Sequence, residues 1–173
     1  MAMNQAKGVV TGKVIGTDDP EGQGRVQVSF PYLGGENQST WAPVATLMGG
    51  KGRGSWFPPV VGDEVLVAFL QDDVAHPHVI GYHWNGEDSP PETNTQMRVI
   101  RTVNGHEIRI FDPDVAGGDQ GFIRIQYSRG GGQNNVVELS NAGITIHSGT
   151  AIDINAPSVT INGRLVLPAA GNI

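Results

Sequence analysis

The chain has 173 residues, with 25 glycines, 11 prolines and no cysteine. This length allows one domain or two small ones, and the many turn-forming residues, without long helical periodicity, predict an all-β protein. The missing cysteine excludes disulfides and thiolate metal sites, and the net charge of −6, with no basic stripe, argues against binding to nucleic acid phosphates.

The N-terminus, MAMNQAKG, lacks the apolar core of a signal peptide, so we expect no Sec-dependent export. No run in the chain approaches the roughly 18 apolar residues that a membrane-spanning helix needs. Neither observation predicts secretion or a membrane-spanning helix.

Five short strands are predicted in the N-terminal half, each rich in β-branched residues and closed by glycine, proline or aspartate. The clearest alternation places Val26, Val28 and Phe30 on one strand face. The predicted strands cover residues 8–16, 25–30, 41–46, 64–70 and 78–82. Five short strands without a helix are typical of a small closed barrel of the oligonucleotide/oligosaccharide-binding (OB) type, which we expect over residues 1–84.

A polar stretch, NGEDSPPETNTQ, separates this half from the next, and its composition predicts a linker over residues 85–96. The remaining residues, 97–173, begin with a hairpin signal. Asn104-Gly105 lies between the predicted strands Val99–Val103 and Glu107–Phe111.

Pairs of apolar residues two positions apart then recur to the end of the chain, which puts both members of each pair on one strand face. The step between pairs shortens from 15 residues (123 − 108) to six (165 − 159), so the repeat tightens toward the C-terminus. The expected inward residues are Ile108, Ile110, Ile123, Ile125, Val137, Leu139, Ile144, Ile146, Ile152, Ile154, Val159, Ile161, Leu165 and Leu167. One such chain makes a narrow strip with no second layer, which favours self-association.

The order of motifs resembles the spike proteins of contractile injection systems: the phage baseplate assembly protein V group, the central tail spikes of contractile phages and the Vgr spikes of type VI secretion. The motifs are Gly24-Arg25-Val26 after an Asp-Pro turn, Phe57-Pro58 before Gly62-Asp63-Glu64-Val65, and Asp72-Asp73 before Pro77, Val79 and Gly81. In these spikes an element similar to Asn104-Gly105-His106 opens the needle. The resemblance implies an OB barrel followed by an intertwined trimeric β-helix.

The resemblance also implies a function, that of a non-enzymatic central spike in a virion tail baseplate or a phage-like particle. The OB domain would dock to a hub, which we expect to be a separate protein because the chain starts at the OB domain. The needle would pierce the target cell envelope. A tip protein of the PAAR-repeat kind is the implied partner at a blunt C-terminal end.

Two histidines are weak candidates for a metal site, because His76-x-His78 places two imidazoles near Asp72 and Asp73. Pro77 interrupts the strand between them, so an ordinary surface turn is the expectation. Known phage spikes can bind iron through a His-x-His pair near the tip. Here His147 stands alone and is expected to point outward, so we predict no metal or other cofactor at the tip.

Carboxylate pairs such as Asp112/Asp114 and Asp18/Asp19 invite a hydrolase interpretation, but they lie in turns beside proline and glycine. The glycine run Arg129–Gly132 is followed by no helix and is not a phosphate loop. The alternative function is an OB module that binds nucleic acid or carbohydrate and carries a β-rich oligomerisation tail. A β-helical polysaccharide-processing enzyme is disfavoured because the repeat is too short for a monomeric solenoid with a groove.

Overall fold

The computed structural model describes residues 8–31, 39–114, 120–128 and 135–166. The chain divides into two compact units, Met1–Ser89 and Pro90–Ile173, and each is considered by itself. The described residues are almost entirely strands and turns, with one short 3₁₀ turn at Leu70–Asp72. None of their helices is long and apolar enough to cross a membrane.

The first unit contains a four-stranded antiparallel sheet in the order β2-β1-β5-β6 and a small hairpin, β3-β4. The strands are β1 (Val9–Gly16), β2 (Gln27–Ser29), β3 (Gly49–Gly50), β4 (Arg53–Gly54), β5 (Glu64–Phe69) and β6 (Pro77–Tyr82). Four of the five predicted strands are thereby confirmed in position. Pro77 begins β6 instead of interrupting it, as a proline at the first position of a strand can do.

Residues 42–45 connect the two edge strands of this sheet. Ala42 exchanges two main-chain hydrogen bonds with Val26, which precedes β2, at 2.7 and 3.0 Å. On the other side, the Val79 N–H donates to the Pro43 carbonyl and the Ala45 N–H donates to the Val79 carbonyl. The predicted strand over residues 41–46 is therefore reduced to isolated bridges, because Pro43 has no N–H to donate.

The core of the first unit is a set of nine buried apolar residues, drawn from the inward positions of the strands. In β5 burial alternates strictly, with Val65, Val67 and Phe69 inside. Gly12 takes an inward position of β1 because the Val28 side chain fills the space that a Cβ would need. The core consists of Val14, Val26, Val28, Phe30, Ala42, Val65, Val67, Phe69 and Val79.

The second unit contains a five-stranded antiparallel sheet in the order β11-β10-β9-β8-β7, so each strand pairs with its sequence neighbour. The strands are β7 (Met97–Arg101), β8 (Glu107–Phe111), β9 (Phe122–Tyr127), β10 (Asn135–Ser140) and β11 (Gly143–His147). The predicted hairpin of β7 and β8 is confirmed, with a loop over residues 102–106 instead of a two-residue turn.

Beyond β11 the chain has less regular structure. Residues 151–159, which include Ile152 and Ile154, form no strand. A two-residue hairpin follows, β12 (Thr160–Ile161) with β13 (Arg164–Leu165). The described residues of the single chain thus form an open sheet and a short hairpin, and they do not form a β-helix. Leu167 and the C-terminal tip lie outside the described residues, as do Met1–Lys7 and the glycine run 129–132.

The stretch predicted as a linker makes hydrogen bonds within both units. The Asn85 amide donates to Glu64 at 2.8 Å in the first unit. In the second, the Glu92 carboxylate accepts from Arg109 Nη1 at 3.2 Å, and the Gln96 carbonyl accepts from the Asp112 N–H at 3.0 Å.

Candidate functional site

One face of the five-stranded sheet is occupied by aliphatic side chains in two rows that run across the strands. We call this surface the apolar face. Directly opposed residues in the strand registers form each row, so the members of a row are neighbours on the same side of the sheet. The first row is Ile100, Ile108, Ile125, Val137 and Ile146, and the second is Ile110, Ile123, Leu139 and Ile144.

The apolar face has no covering layer within the described residues of the chain. Its isoleucines and Leu139 expose from 40% of their surface at Ile108 to 72% at Ile144. Large contiguous apolar patches are rare on soluble monomers, and such patches mark association sites. A single chain therefore leaves this half of its sheet unburied.

The opposite face of the sheet carries ion pairs, for which we call it the polar face, together with an aromatic pair, Phe111 and Phe122, whose ring centroids lie 5.6 Å apart. Arg124 on β9 pairs with Glu138 on β10. Arg109 lies between Glu107 at 2.8 Å and Glu92 at 3.2 Å, and these carboxylates raise the pKa of its guanidinium. The ion pairs of the sheet thus lie on the polar face, where charged and aromatic side chains are mixed.

An aromatic stack closes one end of the apolar face. The rings of His106 and Tyr127 lie 4.3 Å apart and nearly parallel, at 14°. The Ser128 N–H donates to His106 Nδ1 at 3.2 Å, which fixes the ring. His106 is the last residue of the Asn104-Gly105-His106 element noted in the sequence, and it lies in the loop between β7 and β8.

The structure distributes the predicted inward residues unevenly. The eight from Ile108 to Ile146 lie together on the apolar face. Ile152, Ile154, Ile161 and Leu165 are exposed, and in the final hairpin Ile161 opposes Arg164 while Leu165 opposes Thr160. Their place in a trimer core stays a prediction, as does that of Val159.

Sequence reasoning missed Ile100, which opposes Ile108 in the register of β7 and β8. A two-residue Asn104-Gly105 turn would place Arg101 opposite Ile108, and it is the longer loop over residues 102–106 that brings Ile100 there instead.

The candidate metal residues do not converge. His76 Nδ1 lies 3.0 Å from an Asp73 carboxylate oxygen, whereas His78 Nδ1 lies 3.3 Å from the main-chain oxygen of His76. Within the part of the chain that the structure describes, no group of three or more metal-ligating side chains occurs. Hydrogen bonds from Ala75 and His76 lower the pKa of the Asp73 carboxyl, consistent with a closed surface turn.

A second surface feature lies on the first unit, where Trp56, Phe57 and Tyr82 are all exposed. The turn that supports it is fixed by Asp19, whose carboxylate accepts hydrogen bonds from the Arg25 side chain and from three main-chain N–H groups. The Arg25 guanidinium holds the pKa of that carboxyl well below its usual range. Gly24 in the same turn packs against the Trp56 ring.

These features define a two-unit all-β protein whose second unit leaves an apolar sheet face open. The model of the type VI secretion system/phage-baseplate injector OB domain family matches residues 10–84. The model of the phage baseplate V C-terminal trimerisation domain family matches residues 97–166. The chain therefore belongs to the phage baseplate V family, and its second unit is a trimerisation domain.

Curated relatives are similar over about three quarters of the chain. Two Pseudomonas aeruginosa proteins are the type VI secretion system spike proteins VgrG1c, 31% identical over 145 residues, and VgrG1a, 32% identical over 142 residues. They cover 75% and 73% of this chain. The actin cross-linking toxin VgrG1 of Vibrio cholerae is 31% identical over 141 residues, 70% of the chain. The chain spans only 18%, 21% and 13% of these relatives, respectively.

Proposed function

We propose that this chain is a structural, non-catalytic spike component of a contractile injection baseplate, in which three copies turn their apolar faces toward a common axis. The observation that carries the proposal is the apolar face itself: nine aliphatic side chains in two aligned rows, largely exposed in one chain. The match to a trimerisation domain family over the same residues supports a count of three copies.

In this proposal residues 97–173 of the three copies intertwine into a β-helical needle, with a linker over residues 85–96 and an OB domain over residues 1–84. The fourteen predicted inward residues, from Ile108 to Leu167, form its core, and Ile100 joins them. Period-two alternation in Ile152–Ile154 supports this arrangement, because that segment has strand patterning but no strand partner among the described residues of its own chain.

The same proposal assigns the ends of the assembly. The OB domain docks to a separate hub protein, and the needle points toward the target cell envelope, which it pierces when the tail contracts. A PAAR-like protein caps the C-terminal end. The particle is a phage tail or a phage-like injection device that is assembled in the bacterial cytoplasm. The family match and the spike names of the relatives support this placement.

Burial on trimer formation supplies the driving force. Fully burying an aliphatic side chain contributes about 1.5–3 kcal/mol, so a residue that is half exposed in the single chain, such as Ile125, gains about 0.8–1.5 kcal/mol when a neighbouring copy covers it. The gain is repeated at each position of both rows and in every copy.

The mass of the full chain in solution tests the proposal, measured by sedimentation equilibrium at micromolar concentration. We expect a species of three times 18.3 kDa that persists on dilution. A stable species of 18.3 kDa would show that the apolar face is not a trimer interface and would remove the basis for the spike assignment.

A further inference from the structure

The first unit has an apolar groove on its surface, which we call the aromatic groove. Its walls are residues 44–47 and 55–58, and β6 residues 80–82 form its floor. The groove has a volume of about 460 Å³, and none of its lining residues is charged. Trp56 exposes 70% of its surface and Leu47 exposes 93%. This is a second apolar surface without a partner, separate in sequence from the trimerisation domain.

Two hydrogen bonds and a ring contact connect the residues that line the groove. The Tyr82 hydroxyl donates to the Phe57 carbonyl at 2.9 Å, and the Thr46 hydroxyl donates to the Ser55 carbonyl at 2.7 Å. The Trp56 ring is held against Gly24. These contacts link the two walls and the β6 residues of the groove, which lowers the entropic cost of docking there.

A basic hairpin, β3-β4, extends directly from the groove walls. It carries Lys51 at its turn and Arg53 on β4, both exposed. Neither makes an ion pair among the described residues, whereas Arg25 of the same unit is paired with Asp19 at 2.7 Å. The complete binding surface therefore combines an uncharged aromatic groove with two unpaired cations at its rim.

A turn on the same unit, which we call the acidic turn, offers exposed apolar side chains and a carboxylate, and these complement the apolar groove and the two cations at its rim. In this turn, residues 70–76, the side chains of Leu70 and Val74 expose 59% and 37% of their surface. Asp72 lies between them and makes no ion pair among the described residues. Gln71 and Asp72 both have positive φ, at 54° and 60°, so the turn holds Asp72 in a conformation that non-glycine residues rarely adopt.

The acidic turn and the groove lie at opposite ends of β6. The turn immediately precedes Pro77, whereas the groove contains Ile80–Tyr82. One copy therefore carries the acidic turn and the aromatic groove at separate places on its surface. Such a pair makes a head-to-tail contact, and head-to-tail contacts close into a ring when the copies are related by rotational symmetry.

We propose that the acidic turn of one copy docks into the aromatic groove of the next, with Leu70 and Val74 over the aromatic side chains and Asp72 beside Lys51 and Arg53. This inference rests on the proposed trimer. The trimerisation domain tethers three first units through a short segment, and short tethers give effective concentrations of about 1 mM. A contact too weak to hold free copies together, with a Kd of about 1 mM, is therefore substantially populated.

Cysteine cross-linking of the full chain tests the contact, because the chain has no native cysteine. The variant Met48→Cys/Ala75→Cys changes one exposed residue beside the hairpin and one in the acidic turn, and it keeps Lys51, Arg53 and Asp72. It is treated with a short bismaleimide and run on a denaturing gel. We expect covalent dimers and trimers from the double variant and uncross-linked chains from each single variant. The matched control is Lys13→Cys/Ala75→Cys, since Lys13 is an exposed lysine on β1 outside the groove and hairpin.

The outcomes separate this inference from the trimer itself. A species of trimeric mass without Met48→Cys/Ala75→Cys cross-links overturns the head-to-tail contact and leaves the trimer standing, whereas a monomeric mass removes both. Equal cross-linking in the Lys13→Cys control also overturns it. Salt-dependent binding of a single-stranded oligonucleotide that Lys51→Glu/Arg53→Glu abolishes would assign the surface to nucleic acid instead.

Discussion

The substitution Ile125→Asp places a carboxylate at the centre of the apolar face. Ile125 lies on the middle strand, β9, opposite Ile108 on one side and Val137 on the other. It exposes 52% of its surface in the single chain, so the monomer can keep an aspartate there in water. In the trimer the same carboxylate would be desolvated, and its charge would be strongly disfavoured.

The aspartate can avoid burying a charge by taking up a proton, so the free-energy cost of protonation at pH 7 sets the loss of trimer stability. Protonating an aspartate of pKa 3.9 at pH 7 costs about 4 kcal/mol, so three copies lose about 12 kcal/mol of trimer stability, in addition to the lost isoleucine burial. Desolvation raises the pKa of this carboxyl in the trimer. The trimer of the variant is therefore favoured below pH 4 and is lost as the pH rises.

Sedimentation equilibrium of the variant at pH 7 and pH 4 measures this effect. We expect monomers at pH 7 and partial recovery of the trimer at pH 4. The matched control is His147→Asp, which adds the same group to the polar face of the edge strand β11 and should stay trimeric at both values. An Ile125→Asp chain that remains trimeric at pH 7 would refute the burial of this face.

Two further predictions concern the turn that contains Asp19 and Gly24 and contacts Trp56. Because Arg25 lowers the pKa of Asp19, the stabilisation is present above the ordinary pKa near 3.8 and is lost as the pH falls below it. Because the pKa of this carboxyl in the folded chain lies well below 3.8, Asp19→Asn should lower the melting temperature most at pH 7, less at pH 3 and less again at pH 2. An effect of the same size at all three values would contradict the ion pair. Gly24→Ala puts a Cβ 2.6 Å from the Trp56 ring, so it should destabilise the chain and shift tryptophan emission more than Gly22→Ala, which also has positive φ but no atom within 4 Å; equal effects would exclude the contact.

Much of the first unit could be predicted from the sequence because its signals are local. Alternation in residues 26–30 places Val26, Val28 and Phe30 on one face, and all three are buried. The segment around Pro43 was harder to predict, since its strand propensity is offset by a missing N–H. The aromatic groove was not predicted at all, because Trp56 and Tyr82 meet only through the tertiary fold.

In the second unit the same reasoning succeeded where sequence neighbours pair. A meander aligns each period-two segment with the next, so residues such as Ile123 and Leu139 share a face once the hairpins form. It succeeded less well at Ile152–Ile154, where no strand lies alongside within the part of the chain that the structure describes. Strand patterning states which side chains share a face, but a strand forms only where another backbone accepts and donates its hydrogen bonds.

Thiol labelling of the apolar face tests the central claim most directly. In a chain without native cysteine, Ile125→Cys reports on the apolar face and His147→Cys on the polar face of the same sheet. The account predicts that the Ile125→Cys thiol is protected from a maleimide until denaturant is added, while the His147→Cys thiol reacts at once. Equal and immediate labelling of both thiols in the native protein would contradict the burial of the apolar face by neighbouring copies.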